Sequence, residues 1–271
     1  PESVPLSEQQ GESFTALVRT MQRLLAPDGC PWDREQTPLT LRRYVLEEAC
    51  EVIDAIDSGD TDHICEELGD LSLQVAFLSE LARAQGQFGP DDVMRTIVQK
   101  LVRRHPHVFG DAVAADAEAV VTNWNRIKQV EKGERRLLDG LPRSLPALHR
   151  AQRIGERVEK VGFDWPSPEE SYRKVNEETE ELAEAVEQGQ KERIEAELGD
   201  LLLALVNYSR HLGVDAETAL RKSVDRFDSR FRHVENQVVE RHGGWPAPDR
   251  PKLALSELEQ YWQEAKEREE R

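Results

Sequence analysis

One acidic helical unit occurs twice in this chain, and that repetition constrains the fold more than any other feature. "YVLEEACEVIDAI" (44–56) aligns with "KVNEETEELAEAV" (174–186), and "HICEELGDLSL" (63–73) aligns with "RIEAELGDLLL" (193–203), in both cases without a gap. Glu47, Glu48, Glu51, Glu67 and Asp70 return as Glu177, Glu178, Glu181, Glu197 and Asp200, each 130 positions on. The turn between the segments keeps its glycine, Gly59 in one copy and Gly189 in the other. A unit repeated at this separation implies two tandem domains of similar build.

Looser matches extend the repeat. Gly29 and Trp32 of "GCPW" match Gly162 and Trp165 of "GFDW". Lys100, Arg104 and His107 match Arg226, Arg230 and His233 at an offset of 126, and each copy closes on Trp-x-x-x-Lys: Trp124 with Lys128, Trp262 with Lys266. Between the copies, Gly140, Pro142 and Pro146 break helix and mark a linker. The expected domains are residues 1–138 and 139–271.

In the first copy the apolar positions Val45, Leu46, Ala49, Val52, Ile53 and Ile56 recur at a helical period, and "ELGDLSLQVAFLSELARA" does the same on a broader face. The intervening "DSGDTD" supplies a turn and then acids suited to a helix N-terminus. No strand pair with hairpin chemistry is present. The expected fold class is all-α, each repeat a helical hairpin completed into a bundle.

The chain has 271 residues, 38% hydrophobic and 33% charged, a profile of a folded, helix-rich protein. No apolar run approaches the roughly 20 residues of a membrane span, and "PESVPLSEQQGESF" shows no signal-peptide pattern. Cys30, Cys50 and Cys65 form neither a disulfide framework nor a zinc motif, so reduced thiols in the cytoplasm are expected. A net charge of −17 argues against a nucleic-acid binder. Phosphate binding by so acidic a chain requires a metal ion or a local basic cluster.

Helical spacing puts Glu48 and Glu51 on one face, and Glu67 and Asp70 on the face of the next helix. A closed hairpin brings the two pairs together from opposite walls, and the same holds for Glu178, Glu181, Glu197 and Asp200. One acidic pair at this spacing is ordinarily a solvated face. Two pairs in register, repeated in a second copy, point instead to a cation site, because crowded carboxylates either take up protons or recruit a cation. Oxygen-only donors without histidine suit Mg²⁺, with Mn²⁺ as a substitute, over zinc or a di-iron centre. Gly69 and Gly199 sit inside these helices, where a missing side chain serves either close helix packing or the approach of a phosphate.

No Walker or Rossmann glycine pattern occurs. Basic pairs at i and i+4, Lys100 with Arg104 and Arg226 with Arg230, recur after each hairpin and become useful if they hold a polyphosphate. The tryptophans at 32, 165, 124 and 262 are packing residues by default, with Trp262 the best placed to stack on a base. His105 and His107, flanking Pro106, read as a turn rather than a metal pair.

"EEACE" with "ELGD", "EETEE" with "ELGD", "GCPWDREQT", "RRHPHVFGD", "LPRSLPAL" and "VGFDW" together resemble tandem-domain MazG-type nucleoside triphosphate pyrophosphohydrolases, members of the all-α NTP pyrophosphatase superfamily. The resemblance covers the chain from about Phe14 to Lys266. It implies Mg²⁺-dependent hydrolysis of nucleoside triphosphates, with broad base tolerance, to monophosphate and pyrophosphate, and a homodimer to which each domain contributes in a four-helix-bundle arrangement. Carried over by position, Glu178, Glu181, Glu197 and Asp200, and their counterparts Glu48, Glu51, Glu67 and Asp70, are expected metal ligands. Lys174, Arg226, Arg230 and Trp262, with Lys100 and Arg104, are expected to contact the nucleotide. Glu177, and Glu47 in the first copy, are expected to accept a proton or support a second metal. Lys174 aligns with Tyr44, so both sites are expected to bind metal and the C-terminal one to carry more of the activity. Other readings are a hydrolase of a guanosine polyphosphate signal and a non-catalytic acidic docking module.

Overall fold

The computed structural model describes residues 11–132, 136–247 and 251–269; the opening segment read for a signal peptide lies mostly outside them. The described residues contain helices and turns and no strand. The chain divides into two compact units, Pro1–Gly133 and Glu134–Arg271.

In the first unit, α1 (Glu12–Leu24) and the single turn α2 (Pro31–Arg34) precede a hairpin of α3 (Pro38–Ser58) and α4 (Thr61–Ala84). The sequence around the hairpin explains its ends. Thr37 forms a capping box with Thr40, and Pro38 occupies the first helical position, where its missing N–H costs nothing. Gly59 closes α3 at φ 73°, a left-handed conformation that other residues adopt only with strain. Asp60 then caps α4, its carboxylate accepting from the N–H groups of Asp62 and His63. The reversal takes two residues, so the helices lie antiparallel side by side. α5 (Pro90–Arg104), the short α6 (Pro106–Phe109) and α7 (Ala117–Lys132) complete the unit.

The core of this unit gathers Met21, Leu41, Ala76 and Phe77, with Leu73 and Tyr44 against them. Each large apolar side chain buried there contributes roughly 1.5–3 kcal/mol, and together they fix the register in which α3 faces α4.

The second unit repeats the plan. α8 (Ala147–Glu159) precedes α9 (Pro168–Gln188), α10 (Lys191–His211), α11 (Ala216–His242) and α12 (Leu255–Glu269). Ser167 caps α9, Pro168 begins it, and Gly189 ends it at φ 67°. Val234, Val238 and Tyr261 form a core between α11 and α12, with Trp262 packed beside them. Position 80 in the first unit and position 210 in the second carry opposite charges. Buried Glu80 accepts from Gln22 and Arg83, whereas Arg210 donates to Glu159 and Asp164.

The sequence alone makes α4 and α10 look like buried helices. α4 does bury Ala76, Phe77 and Ala82, but Leu198, Leu202 and Leu205 on α10 stay nearly half exposed. Gly69 and Gly199 settle one alternative. A Cβ built on either meets no atom within 4 Å, so these glycines do not serve close packing within the described chain.

Candidate metal and nucleotide site

The hairpin delivers its carboxylates as periodicity demands. α3 presents Glu48 toward Glu67 and Asp70 of α4, and α9 presents Glu178 toward Glu197 and Asp200 of α10. In each unit one oxygen from each of the three residues lies within 4.8 Å of the other two. Among the described residues these are the only two groups of three histidine, cysteine or acidic ligand atoms so close together. Glu67 and Glu178 are buried, at 9% and 5% exposure, so this is no freely solvated acidic face.

The electrostatics are those of an under-neutralised cluster. Burial pushes the Glu48 carboxyl above the usual range, and the carboxylates of Asp70 across the hairpin and of Glu51 on the same helix push it further. Burial likewise raises Glu181, aided by Glu178 and Glu197. Gln74 reaches Glu48 with its amide N–H at 3.5 Å, and its own Oε1 is buried without a hydrogen-bond partner. Three hard oxygens at this spacing fit a divalent cation.

The fourth acid of each set, Glu51 and Glu181, borders the trio rather than joining it. Each shares its helix face with Glu48 or Glu178 one turn away; Glu51 raises the Glu48 carboxyl by its charge and a hydrogen bond, and the charge of Glu178 raises Glu181. Glu47 and Glu177 are exposed and lie outside both trios.

Basic side chains flank the clusters at repeated positions. His63 Nε2 lies 3.1 Å from Glu67, and Arg193, its counterpart, donates to Glu197 at 3.3 Å. Lys174 Nζ donates to Glu177 at 2.8 Å and lies 2.6 Å from Glu178, contacts that raise its own pKa. In the first unit the aligned Tyr44 joins the core and meets the edge of Trp32, ring centroids 6.1 Å apart. The two hairpins are therefore alike in their acids and unlike in this cation.

The arginines of the basic pairs are already engaged. Arg104, 8% exposed, donates through Nε and Nη2 to Glu131 and lies over the Trp124 ring, 5.2 Å from its centroid. Arg230 donates to Glu269 at 3.0 and 2.7 Å and lies 5.8 Å from the Trp262 centroid. Arg226 is exposed, and its charge also acts on Glu269. Lys100 lies half-buried on α5, one turn before Arg104. Glu131 and Glu269 escape the sequence reading. The signal was available, because both copies read Trp-x-x-x-Lys-x-x-Glu.

The other aromatics depart from a plain packing role. Trp32 and Trp165 are 52% and 42% exposed and line cavities. In the first unit a cavity of 240 Å³ is bounded by Trp32, Tyr44, Glu48, Gln74 and Phe77, so it reaches Glu48 of the acidic trio. In the second, a cavity of 520 Å³ is lined by Phe163, Asp164, Trp165, Leu203 and Asn207. His105 stacks edge-on against Trp124, with centroids 4.9 Å apart, and its Nδ1 lies 2.7 Å from the Leu101 carbonyl, so it holds a helix end rather than a metal.

The MazG nucleotide pyrophosphohydrolase domain matches this chain twice, over residues 36–109 and 167–235: the first hairpin with α5 and α6, and the second hairpin with most of α11. A Thermotoga maritima protein named nucleoside triphosphate pyrophosphohydrolase/pyrophosphatase MazG is 42% identical over 96% of this chain and 98% of its own length. The Escherichia coli K12 nucleoside triphosphate pyrophosphohydrolase is 44% identical over 93% of this chain and 97% of its own. The uncharacterized Bacillus subtilis protein YabN is 39% identical over 98% of this chain, which spans 55% of that longer protein.

Proposed function

Because the chain belongs to the MazG nucleotide pyrophosphohydrolase family, we propose that it hydrolyses nucleoside triphosphates between the α and β phosphates, giving the monophosphate and pyrophosphate. The observation that carries this reading is the recurrence, in two units of one chain, of three carboxylates converging from a helical hairpin. Glu48, Glu51, Glu67 and Asp70, and Glu178, Glu181, Glu197 and Asp200, would hold Mg²⁺ or its substitute Mn²⁺, the closest three in each set being Glu48, Glu67 and Asp70, and Glu178, Glu197 and Asp200. Bound there, the ion supplies charge neutralisation for the polyphosphate and lowers the pKa of a coordinated water.

The chain's own residues do the rest. Glu177 Oε1 is held by Lys174; once the lysine turns to a phosphate, that carboxylate is free to take a proton from the attacking water. Glu47 has the equivalent place in the first unit. Lys174, Arg226 and Arg230, and Lys100 and Arg104, steady the charge that develops on departing pyrophosphate. The aromatic surfaces of Trp262 and of the cavity walls suit a base without reading its edges, which supports broad base tolerance.

Lys174 beside Glu178, against Tyr44 beside Glu48, favours the C-terminal site as the more active one. The half-exposed leucines of α10 support a homodimer in which a second copy covers them. Among the described residues no helix is long and apolar enough to cross a membrane. We place the protein in the cytoplasm, with no nucleic-acid partner, and set the domain boundary at 138/139.

The test is pyrophosphate release from a panel of nucleoside triphosphates and guanosine polyphosphates, with Mg²⁺ and with chelator. Mg²⁺-dependent release across several bases supports the reading. Release confined to a guanosine polyphosphate selects the signal hydrolase, and no release under any condition selects the docking module.

A further inference from the structure

Each unit ends on a helix with one repeated stripe: Trp124, Lys128 and Glu131 on α7, and Trp262, Lys266 and Glu269 on α12. The i, i+4, i+7 spacing puts all three on one helix face. In both units that face meets the arginine at the matching position of an earlier helix, Arg104 on α5 and Arg230 on α11. The guanidinium lies over the tryptophan and donates two hydrogen bonds to the glutamate.

In the second unit this contact borders a hollow of 200 Å³ lined by Ser229, Arg230, His233, Arg268 and Glu269. Among these lining residues Glu269 is the one acid beside two arginines and a histidine. Its carboxylate oxygen sits on Arg230 Nε and Nη2, the donors a phosphate would use. The pair is not a sealed structural bridge: the Glu269 side chain is 38% exposed, and ion pairs that open to water break at little cost.

Building on the phosphate-handling role given above to Arg104 and Arg230, we propose that Glu131 and Glu269 are internal counter-anions. Each holds its arginine extended over the tryptophan in the free protein and yields it to a phosphate of the incoming nucleotide. They are positioning residues that compete with substrate. The two clamps differ in build. The Glu131 side chain is 18% exposed and holds Arg103 and Arg104 together, whereas the Glu269 side chain, 38% exposed, meets Arg230.

The experiment uses the full chain with Mg²⁺, a nucleoside triphosphate as substrate and inorganic pyrophosphate as competitor. Glu131→Gln and Glu269→Gln, made singly and together, remove the charge and keep the shape. In the double variant KM and the pyrophosphate inhibition constant are expected to fall by about two- to fivefold, the range corresponding to a partly exposed ion pair, while the melting temperature falls. A merely structural bridge gives the same loss of melting temperature with KM unchanged or raised, and that result overturns the proposal. Arg230→Ala with Arg104→Ala is the control for the underlying reading. If it raises KM while the glutamine variants do not lower it, the counter-anion alone is refuted. If it leaves KM unmoved, phosphate handling by these arginines fails, and the proposal fails with it.

Discussion

Lys174 Nζ stands 2.6 Å from Glu178, the most buried carboxylate of the C-terminal trio, and so occupies an oxygen that a divalent ion would also claim. The lysine is an internal cation for a site built to hold a stronger one. Replacing it by methionine leaves a buried carboxylate less compensated. Lys174→Met is expected to lower the stability of the metal-free protein by about 1 kcal/mol and to enlarge the stabilisation by Mg²⁺. Thermal melts with and without Mg²⁺ check both; an unchanged Mg²⁺ response contradicts the competition.

The acid clusters give the metal a signature in pH. Glu48 and Glu181 titrate above the ordinary carboxylate range, so their contribution to stability is present at acid pH and is lost as pH rises through the raised values. A bound cation offsets that loss. Added Mg²⁺ is therefore expected to raise the melting temperature at pH 7 and to do so far less at pH 4. An equal shift at both pH values places the ion elsewhere.

Glu131 shows the opposite sign. Hydrogen bonds from Arg104 and then Arg103 hold its carboxyl at about 2, below the value of about 4.3 for an unfolded glutamate. The link contributes stability that is complete above the unfolded value and disappears as pH falls toward 2. Glu131→Gln is expected to flatten the acid limb of the melting profile of the first unit. A limb parallel to that of the native protein contradicts the link.

Trp262 supports Arg230 and packs on Phe227 at a centroid distance of 4.9 Å. Trp262→Phe keeps an aromatic ring with a weaker face, so the helix stays docked while the arginine is less well placed. KM is expected to rise by about two- to fivefold, the worth of a cation–π contact of roughly 0.5–1 kcal/mol. Steady-state kinetics measure it directly, and an unchanged KM removes Trp262 from the substrate's path.

The hairpins were legible because their determinants are local. Thr37, Gly59 and Asp60, and Ser167 and Gly189, cap or turn the chain within a few residues of themselves, and the spacing of Glu67 to Asp70 fixes a common face. The contacts that were not legible join residues far apart in sequence. Arg104 meets Glu131 and Arg230 meets Glu269 only after α5 and α7, or α11 and α12, have docked. Periodicity says which face of α12 carries Glu269 but not what that face meets. The partial exposure of Trp32 and Trp165 was hidden for the same reason, since their surroundings come from α1 and α4 or from α8 and α10. Helical spacing places Glu51 on the same face as Glu48, but it does not say which acids meet across the hairpin; there Glu48, Glu67 and Asp70 come closest together.

The central claim is that the two carboxylate trios carry the hydrolysis. Asp70→Asn and Asp200→Asn, singly and together in the full chain, remove one exposed ligand charge from each trio while leaving its size unchanged. With the fold checked by circular dichroism, Mg²⁺-dependent pyrophosphate release is to be measured at saturating nucleoside triphosphate. The account predicts that the double variant loses activity by about a hundredfold or more, as for loss of a metal ligand, and that Asp200→Asn alone accounts for most of the loss. Release at the native rate from a folded double variant would contradict it.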